Sequence, residues 1–383
     1  MITDTIKYQP ALSKYILAIL SFIWVDLNEV HAMEWRKTAE IPLAVEYNDN
    51  LFYSNTDKIS DIIYHTGTLL RLDGTDEVNE INLSGGVDIQ RLQTTRKADN
   101  EFYSARARYE HLTEATTSRI IASYDERSTR TSELQSIGIV NIYGKLKTYT
   151  IMPTVEFELN DLNRLIINTD FSRFDYDIDT FIDYKNYQGR IIWSRIFSEE
   201  TEGGIEILLQ RYDAVQNNID YDYGALSGQL TVEDDTDFSY ETALGLGYIL
   251  RKTGSNYRTL LFRISALKEF SYTRISGAFS SNLVPTSAGQ ITRLTSLDFN
   301  LTHLLNENGN LTLALRASRS EIVSTTAPYT TDYIRGEIGY LHQQSDWLAF
   351  DISYSYTSSF INITDSQRSA NILFARLSLL FEN

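Results

Sequence analysis

"ANILFARLSLLFEN", residues 370–383, closes the sequence, and every second residue in it is apolar: Leu373, Ala375, Leu377, Leu379 and Phe381. The intervening set, Ile372, Phe374, Arg376, Ser378 and Leu380, is mixed and carries a charge. A period of two is that of a β-strand with two unlike faces. Such a strand also presents N–H and C=O groups along both edges, so it needs partners.

The same alternation recurs along the chain. "KTYTIMPTVEFEL" sets Tyr149, Ile151, Pro153, Val155, Phe157 and Leu159 against Thr148, Thr150, Met152, Thr154, Glu156 and Glu158. "LTLALRAS" does so with Leu311, Leu313 and Leu315, and "LAFDISYSY" with Leu348, Phe350, Ile352, Tyr354 and Tyr356. Helical periodicity fits none of these as well. About 18 strands can be traced, from 41–53 to 370–381; the stretch 237–281 reads as two strands or three, and 16 strands is the alternative. Tight connections such as Asp73–Glu77 and Asn160–Asn163 alternate with longer polar ones such as Ser54–Asp61 and Ser128–Leu146. That asymmetry belongs to an outer-membrane barrel, with short periplasmic turns and longer outer loops.

The expected fold is therefore all-β, a transmembrane antiparallel up-and-down β-barrel of 16–18 strands. Its last strand should pair with the first near Ile41–Tyr53, because no open edge is tolerated in hydrocarbon. Leu373 to Phe381 should then face lipid, with Phe381 near the periplasmic interface.

Composition agrees. The 383 residues include 25 Tyr, 17 Phe and 4 Trp but only 5 Pro and no Cys. Aromatics favour strands and should supply girdles at the two membrane interfaces. Mean hydropathy is −0.26, a value that alternation produces even when half of every strand meets lipid. The net charge of −17 speaks against a nucleic-acid partner. Lys7 and Lys14 precede the apolar run "YILAILSFIWV", and Val30-His31-Ala32 offers a cleavage site. Residues 1–32 thus read as a signal peptide and 33–383 as the barrel. Beyond this run no stretch approaches the apolar length of a transmembrane helix.

"VEYNDNLFYSNTDKISDIIY", residues 45–64, resembles the opening of a family of outer-membrane proteins called the beta-barrel porin type two group, many of them encoded with exopolysaccharide or exosortase genes. The matching residues are Tyr47, Asp49, Asn50 and Asp61-Ile62-Ile63, and "NLVPTSAGQ", residues 282–290, resembles that group's Ser/Pro-rich loop. The resemblance covers the barrel in rhythm and these two stretches in motif. It implies a place in the outer membrane of a Gram-negative bacterium and a conduit associated with exopolysaccharide export. Outer-membrane lipid and polysaccharide export components would be its partners. Outer-membrane proteins also resemble one another in a last strand ending in an aromatic, which the barrel assembly machinery recognises. Phe381 would be that signal here, although it stands third from the end.

Candidate functional residues are the charges on the polar faces: Arg106, Arg108, Glu156, Glu158, Arg190, Glu206, Arg316, Arg335, Glu337, Asp351 and Arg376. In a barrel these point into the lumen, where mixed charge could guide polar solutes or sugar chains. A water-filled lumen would be polar in any case. The acidic run Asp175, Asp177, Asp179 and Asp183 reads as a solvated loop rather than a calcium site, since no calcium-loop pattern accompanies it. Tyr47-Asn48-Asp49-Asn50 reads as a strand end whose Asn and Asp side chains satisfy the turn backbone. No catalytic spacing surrounds any histidine, and no cofactor or metal is implied. The expectation is a non-enzymatic conduit; a general diffusion porin, a plugged docking barrel and an outer-membrane hydrolase are the alternatives. Pro153, inside a strand, should mark a bulge or stand above the hydrocarbon.

Overall fold

The computed structural model describes residues 33–133, 144–215, 220–234, 236–251, 256–323, 330–362 and 365–382; residues 1–32, read above as a signal peptide, lie outside them. The strands are Glu34–Asn48 (β1), Asp61–Thr75 (β2), Asn79–Leu92 (β3), Asn100–Leu112 (β4), Thr116–Ser128 (β5), Lys145–Asn160 (β6), Asn163–Tyr176 (β7), Tyr184–Ser198 (β8) and Thr201–Ala214 (β9). They continue as Asp220–Asp234 (β10), Phe238–Arg251 (β11), Tyr257–Phe270 (β12), Thr273–Pro285 (β13), Ile291–Asn306 (β14), Gly309–Ile322 (β15), Thr330–Ser345 (β16), Leu348–Ile361 (β17) and Ser366–Glu382 (β18). Each pairs antiparallel with its neighbours in sequence, and β1 pairs with β18, so the 18-stranded sheet has no edge. The stretch 237–281 resolves into three strands.

The seam is in register, with Ala39 opposite Phe381, Leu43 opposite Leu377 and Tyr47 opposite Leu373. β1 starts and ends earlier than the expected 41–53. Asn48 is completely buried and its Oδ1 accepts the Asn50 N–H at 3.0 Å, a side-chain turn that takes the chain out of the ladder.

One face of every strand looks outward. Leu43, Val45, Leu244 and Leu377 are exposed, and Leu246 is 70 % exposed. So much contiguous apolar surface is incompatible with water and is the lipid belt of a transmembrane barrel. Tyr47, Tyr64, Tyr103 and Tyr149 rim the belt at the long-loop end, and Phe270, Trp347 and Phe381 rim it at the other. The opposite face is small and polar. On β17, Phe350, Tyr354 and Tyr356 point out while Ser355, Thr357 and Ser359 are buried inside.

All tight connections lie at one end, together with Glu34 and Glu382; the longer ones lie at the other. Asp76 shows why the turns can be short: its Oδ1 accepts the Val78 and Asn79 N–H groups at 2.9 and 2.7 Å.

Pro153 stands mid-strand, without a bulge. Its pairing to Ile120 on β5 is continuous, and the ladder to β7 lapses only at Met152 and Pro153, with the register unchanged on either side. The missing N–H falls on the β7 side, so one ladder bond is lost and the strand need not bend.

Candidate functional site: the barrel interior and its outer mouth

The register places all eleven candidate charges on the face opposite the lipid belt. Most meet a partner. Arg376 reaches Asp351 at 3.3 Å, Arg335 reaches Glu337 at 2.6 Å, and Arg190 reaches Glu206 at 3.7 Å. Arg316 pairs with Asp298, and Arg108 bridges Glu80 and Glu110 at 3.3 and 2.7 Å. Glu156 accepts Arg164 at 3.1 Å, which also reaches Glu202 at 2.8 Å. Arg106 and Glu158 make no ion pair among the described residues. Pairs this wet contribute ~0–1 kcal/mol each, so they stabilise the fold little and leave charged groups in contact with water. Sequence reasoning missed Asp298, Glu110, Arg164 and Glu202, although each lies on the same alternating face as its partner.

It also missed His65. The imidazole sits between Glu46 and Asp88, each at 3.6 Å, with Phe374 edge-on at 5.9 Å between ring centres. Glu46, His65, Asp88, Asp125 and Arg130 border an internal cavity of about 430 Å³. Of the other described histidines, His111 meets Asn79 Oδ1 at 2.9 Å and His303 meets Thr273 Oγ1 at 2.8 Å, turn and strand-end groups. Among the described residues no cluster of His, Asp or Glu is placed to hold a metal ion.

The outer mouth is not an open ring. Residues 49–60 turn inward after β1. Leu51 is buried against Ile63, Leu92 and Ala98, and Tyr53, 2 % exposed, against Tyr333 and Ala370. The Tyr47–Asn50 segment holds this loop. Asn50 donates its Nδ2 to the Ser54 and Ser369 carbonyls at 2.8 and 2.7 Å and accepts the Ser54 N–H at 2.9 Å. Asp61, at the rim, accepts the N–H groups of Thr94 and Thr95 at 3.0 and 2.7 Å, which ties the first loop to the second.

A second group of loops descends over the opposite wall. After β5 a single helical turn, Thr129–Ser132, leads to the buried Glu133. Its carboxylate accepts the Ser287 hydroxyl at 2.6 Å and the Tyr176 hydroxyl at 3.0 Å. Ser287 in turn accepts the Ile182 N–H at its carbonyl, 2.8 Å away. Gly289, at φ 71°, supplies the left-handed residue that turns this loop back, its N–H donating to the Thr286 carbonyl at 3.0 Å. Arg130 donates to the Leu51 carbonyl at 3.4 Å and so joins the two groups of loops.

Beneath Thr286 lies an aromatic stack on the inner wall. Phe174 and Tyr184 are 4.4 Å apart between ring centres, Tyr184 and Tyr212 4.9 Å, Tyr212 and Tyr221 4.6 Å. These rings are buried and pack with Ile249 and Leu261, so they form a core under the loops. The acidic run beside it does turn work. Asp183 accepts the Tyr176 N–H at 2.7 Å, Asp177 accepts the Lys145 N–H at 2.5 Å, and Asp175 pairs with Arg173 at 2.8 Å.

No protein-family model matches the chain, and no curated protein matches it in sequence. In structure it is similar to OpdK of Pseudomonas aeruginosa, crystallised with vanillate, at a TM-score of 0.51 and 8 % identity, over 91 % of this chain and 99 % of that one. OccAB4 of Acinetobacter baumannii matches at 0.46 and 9 % identity, over 93 % and 100 %. The copper transporter OprC matches at 0.49 and 10 % identity, over 87 % of this chain and only 62 % of that one. The shared feature is the fold: a closed antiparallel barrel of the Gram-negative outer membrane.

Proposed function

We propose that this outer-membrane barrel is a porin-like, non-enzymatic channel through which small hydrated solutes diffuse, narrowed at its outer mouth by its own loops. The carrying observation is the pair of hydrogen bonds that the Glu133 carboxylate accepts from the Ser287 and Tyr176 hydroxyls, which hold loop segments inside the barrel above a wet, mixed-charge wall. Paired charges of both signs offer transient contacts to polar solutes without holding them, which conduction requires. Export of exopolysaccharide, implied by the sequence resemblance, has less support, because a polymer would have to thread loops bonded across its path. Phe381, outward at the turn end, keeps its proposed part in recognition by the barrel assembly machinery.

Swelling of proteoliposomes in neutral sugars of graded size tests the proposal. Monosaccharides should enter readily and rates should fall steeply at tri- and tetrasaccharides. Swelling no faster than protein-free vesicles would show a plug, and rates independent of sugar size would remove the narrowed mouth.

A further inference from the structure

The inner wall dips beneath the aromatic core of the loops. Four small residues that face the channel, Ala225 and Ser227 on β10 and Ala243 and Gly245 on β11, floor a recess of about 200 Å³. A Cβ at Gly245 would stand 2.7 Å from the Leu226 carbonyl oxygen, so the backbone itself keeps this floor bare. Leu208 on β9 and Leu261 on β12 wall the recess on its two flanks, and Tyr223 closes it toward the loops.

The polar side chains lining the recess have hydrogen-bonding capacity to spare. Gln188 on β8, Glu206 on β9 and the Tyr223 hydroxyl make no hydrogen bond among the described residues. Arg190 approaches Glu206 only to 3.7 Å, and its Nε has no hydrogen-bond partner there. Elsewhere on the inner wall such pairs close up, Arg335 to Glu337 at 2.6 Å and Arg164 to Glu202 at 2.8 Å. The other charges nearby have partners of their own: Arg263 bonds Glu241, and Asp170, opposite Gln188 on β7, accepts the Ser172 hydroxyl. Arg190 and Glu206 answer each other, so no excess cation is left to select an anion. What remains open is a donor in Arg190, an acceptor in Glu206, and two groups that do both, Gln188 and Tyr223. A pocket with a few convergent polar groups between apolar walls is the ordinary form of a small-molecule site. Neighbouring hydroxyls on a sugar ring each donate and accept, and the ring presents apolar C–H edges, so a neutral polyol matches this set without parting the ion pair.

We propose that this recess is a binding subsite for a neutral polyol the size of one sugar ring, lying on the channel wall just inside the narrowed mouth. Arg190 donates to one hydroxyl, Glu206 accepts from its neighbour, Gln188 and Tyr223 take others, and the ring C–H groups rest on Leu208 and Leu261. The inference deepens the channel reading and rests on it for the solute's route, but the binding itself requires no transport.

Saturation-transfer NMR on the full barrel in detergent tests this, titrating D-glucose, L-alanine, acetate and ethylammonium as probes. Wild type should give a saturable signal with D-glucose and bind the zwitterion and the two ions at least tenfold more weakly. Glu206→Leu should weaken D-glucose binding about tenfold by removing a charged acceptor, and Ser227→Leu should weaken it by filling the floor. No saturable D-glucose signal from wild type would overturn the inference. So would L-alanine or either ion binding as tightly as D-glucose, a ranking that needs no variant to fold, or unchanged D-glucose binding in both variants. A barrel that binds D-glucose in this way yet passes no current would sustain the subsite and remove only the channel reading.

Discussion

Asp49 grips Asn371 across the whole length of the chain: its Oδ1 accepts the Asn371 backbone N–H and its Oδ2 the Asn371 side-chain amide, both at 2.7 Å. Asp49 follows the last residue of β1, and Asn371 lies in β18 beside the end of the β1–β18 ladder. The contact therefore locks the seam at which the barrel closes, just where the first loop leaves the sheet. A carboxylate accepting two N–H groups makes the stronger class of hydrogen bond.

Asp49→Ala should accordingly destabilise the barrel by about 2 kcal/mol, since hydrogen bonds to a charged group are worth about 1.5–3 kcal/mol. Asn371→Ala should cost less, because the backbone N–H remains to bond Asp49. Denaturant unfolding in detergent micelles measures both; equal, negligible effects would mean the seam is held by the ladder alone.

Glu133→Ala should leave the Ser287 and Tyr176 hydroxyls without their acceptor, at a cost of about 1–3 kcal/mol. The freed loops should widen the mouth. The readout is single-channel current, expected to be larger and noisier than in wild type, while Glu158→Ala, a charge outside the loop contacts, leaves the current trace steady.

Neighbouring positions on β15 should differ sharply. Leu313 faces lipid opposite Leu301 and Ile338, so Leu313→Arg should cost ~2–4 kcal/mol if the site is near the midplane. Thr312 faces the interior, and Thr312→Arg should fold nearly as well as wild type. Comparable losses for the two, measured by refolding into lipid vesicles, would reverse the assignment of faces.

The rim carboxylate Asp61 gives a pH dependence. Burial raises its pKa, but the N–H groups of Thr95 and Thr94 outweigh burial and hold it below the ordinary aspartate value. A depressed folded pKa means the stabilisation is present above the unfolded value and is lost as pH falls through the folded one. The stability gap between wild type and Asp61→Asn should thus be constant well above the ordinary aspartate range and shrink as pH falls through the lowered folded value. A gap that widens on acidification would contradict the assigned bonds.

How much of this was legible in the sequence follows from what each part depends on. Alternation is local, so Leu373 to Phe381 announced both a strand and its lipid face, and the contrast of tight and long connections announced the two ends. Strand ends were legible in their side chains rather than in the alternation: the alternation carried β1 on to Tyr53, whereas Asn48 and Asn50, read as side chains that satisfy turn backbone, do end it at Asn48. Pro153 does mark an irregularity, a lapse of the ladder to β7, but not a bulge, because the cost of a missing N–H depends on which neighbour the N–H would have met. The mouth could not be read at all. Glu133 and Ser287, or Arg130 and Leu51, sit in separate loops with no periodic relation, and only closure of the barrel brings them together. The charged faces were readable, their pairings not, because partners such as Arg316 and Asp298 depend on register.

Electrical conductance across a planar bilayer containing the purified wild-type barrel tests the channel most directly. The expected result is discrete current steps whose size scales with the bulk salt conductivity, as for ions crossing a water-filled path. A folded barrel, verified by its heat-dependent mobility, that inserts and passes no current would contradict the account: the loops joined at Glu133 and Arg130 would then be a plug.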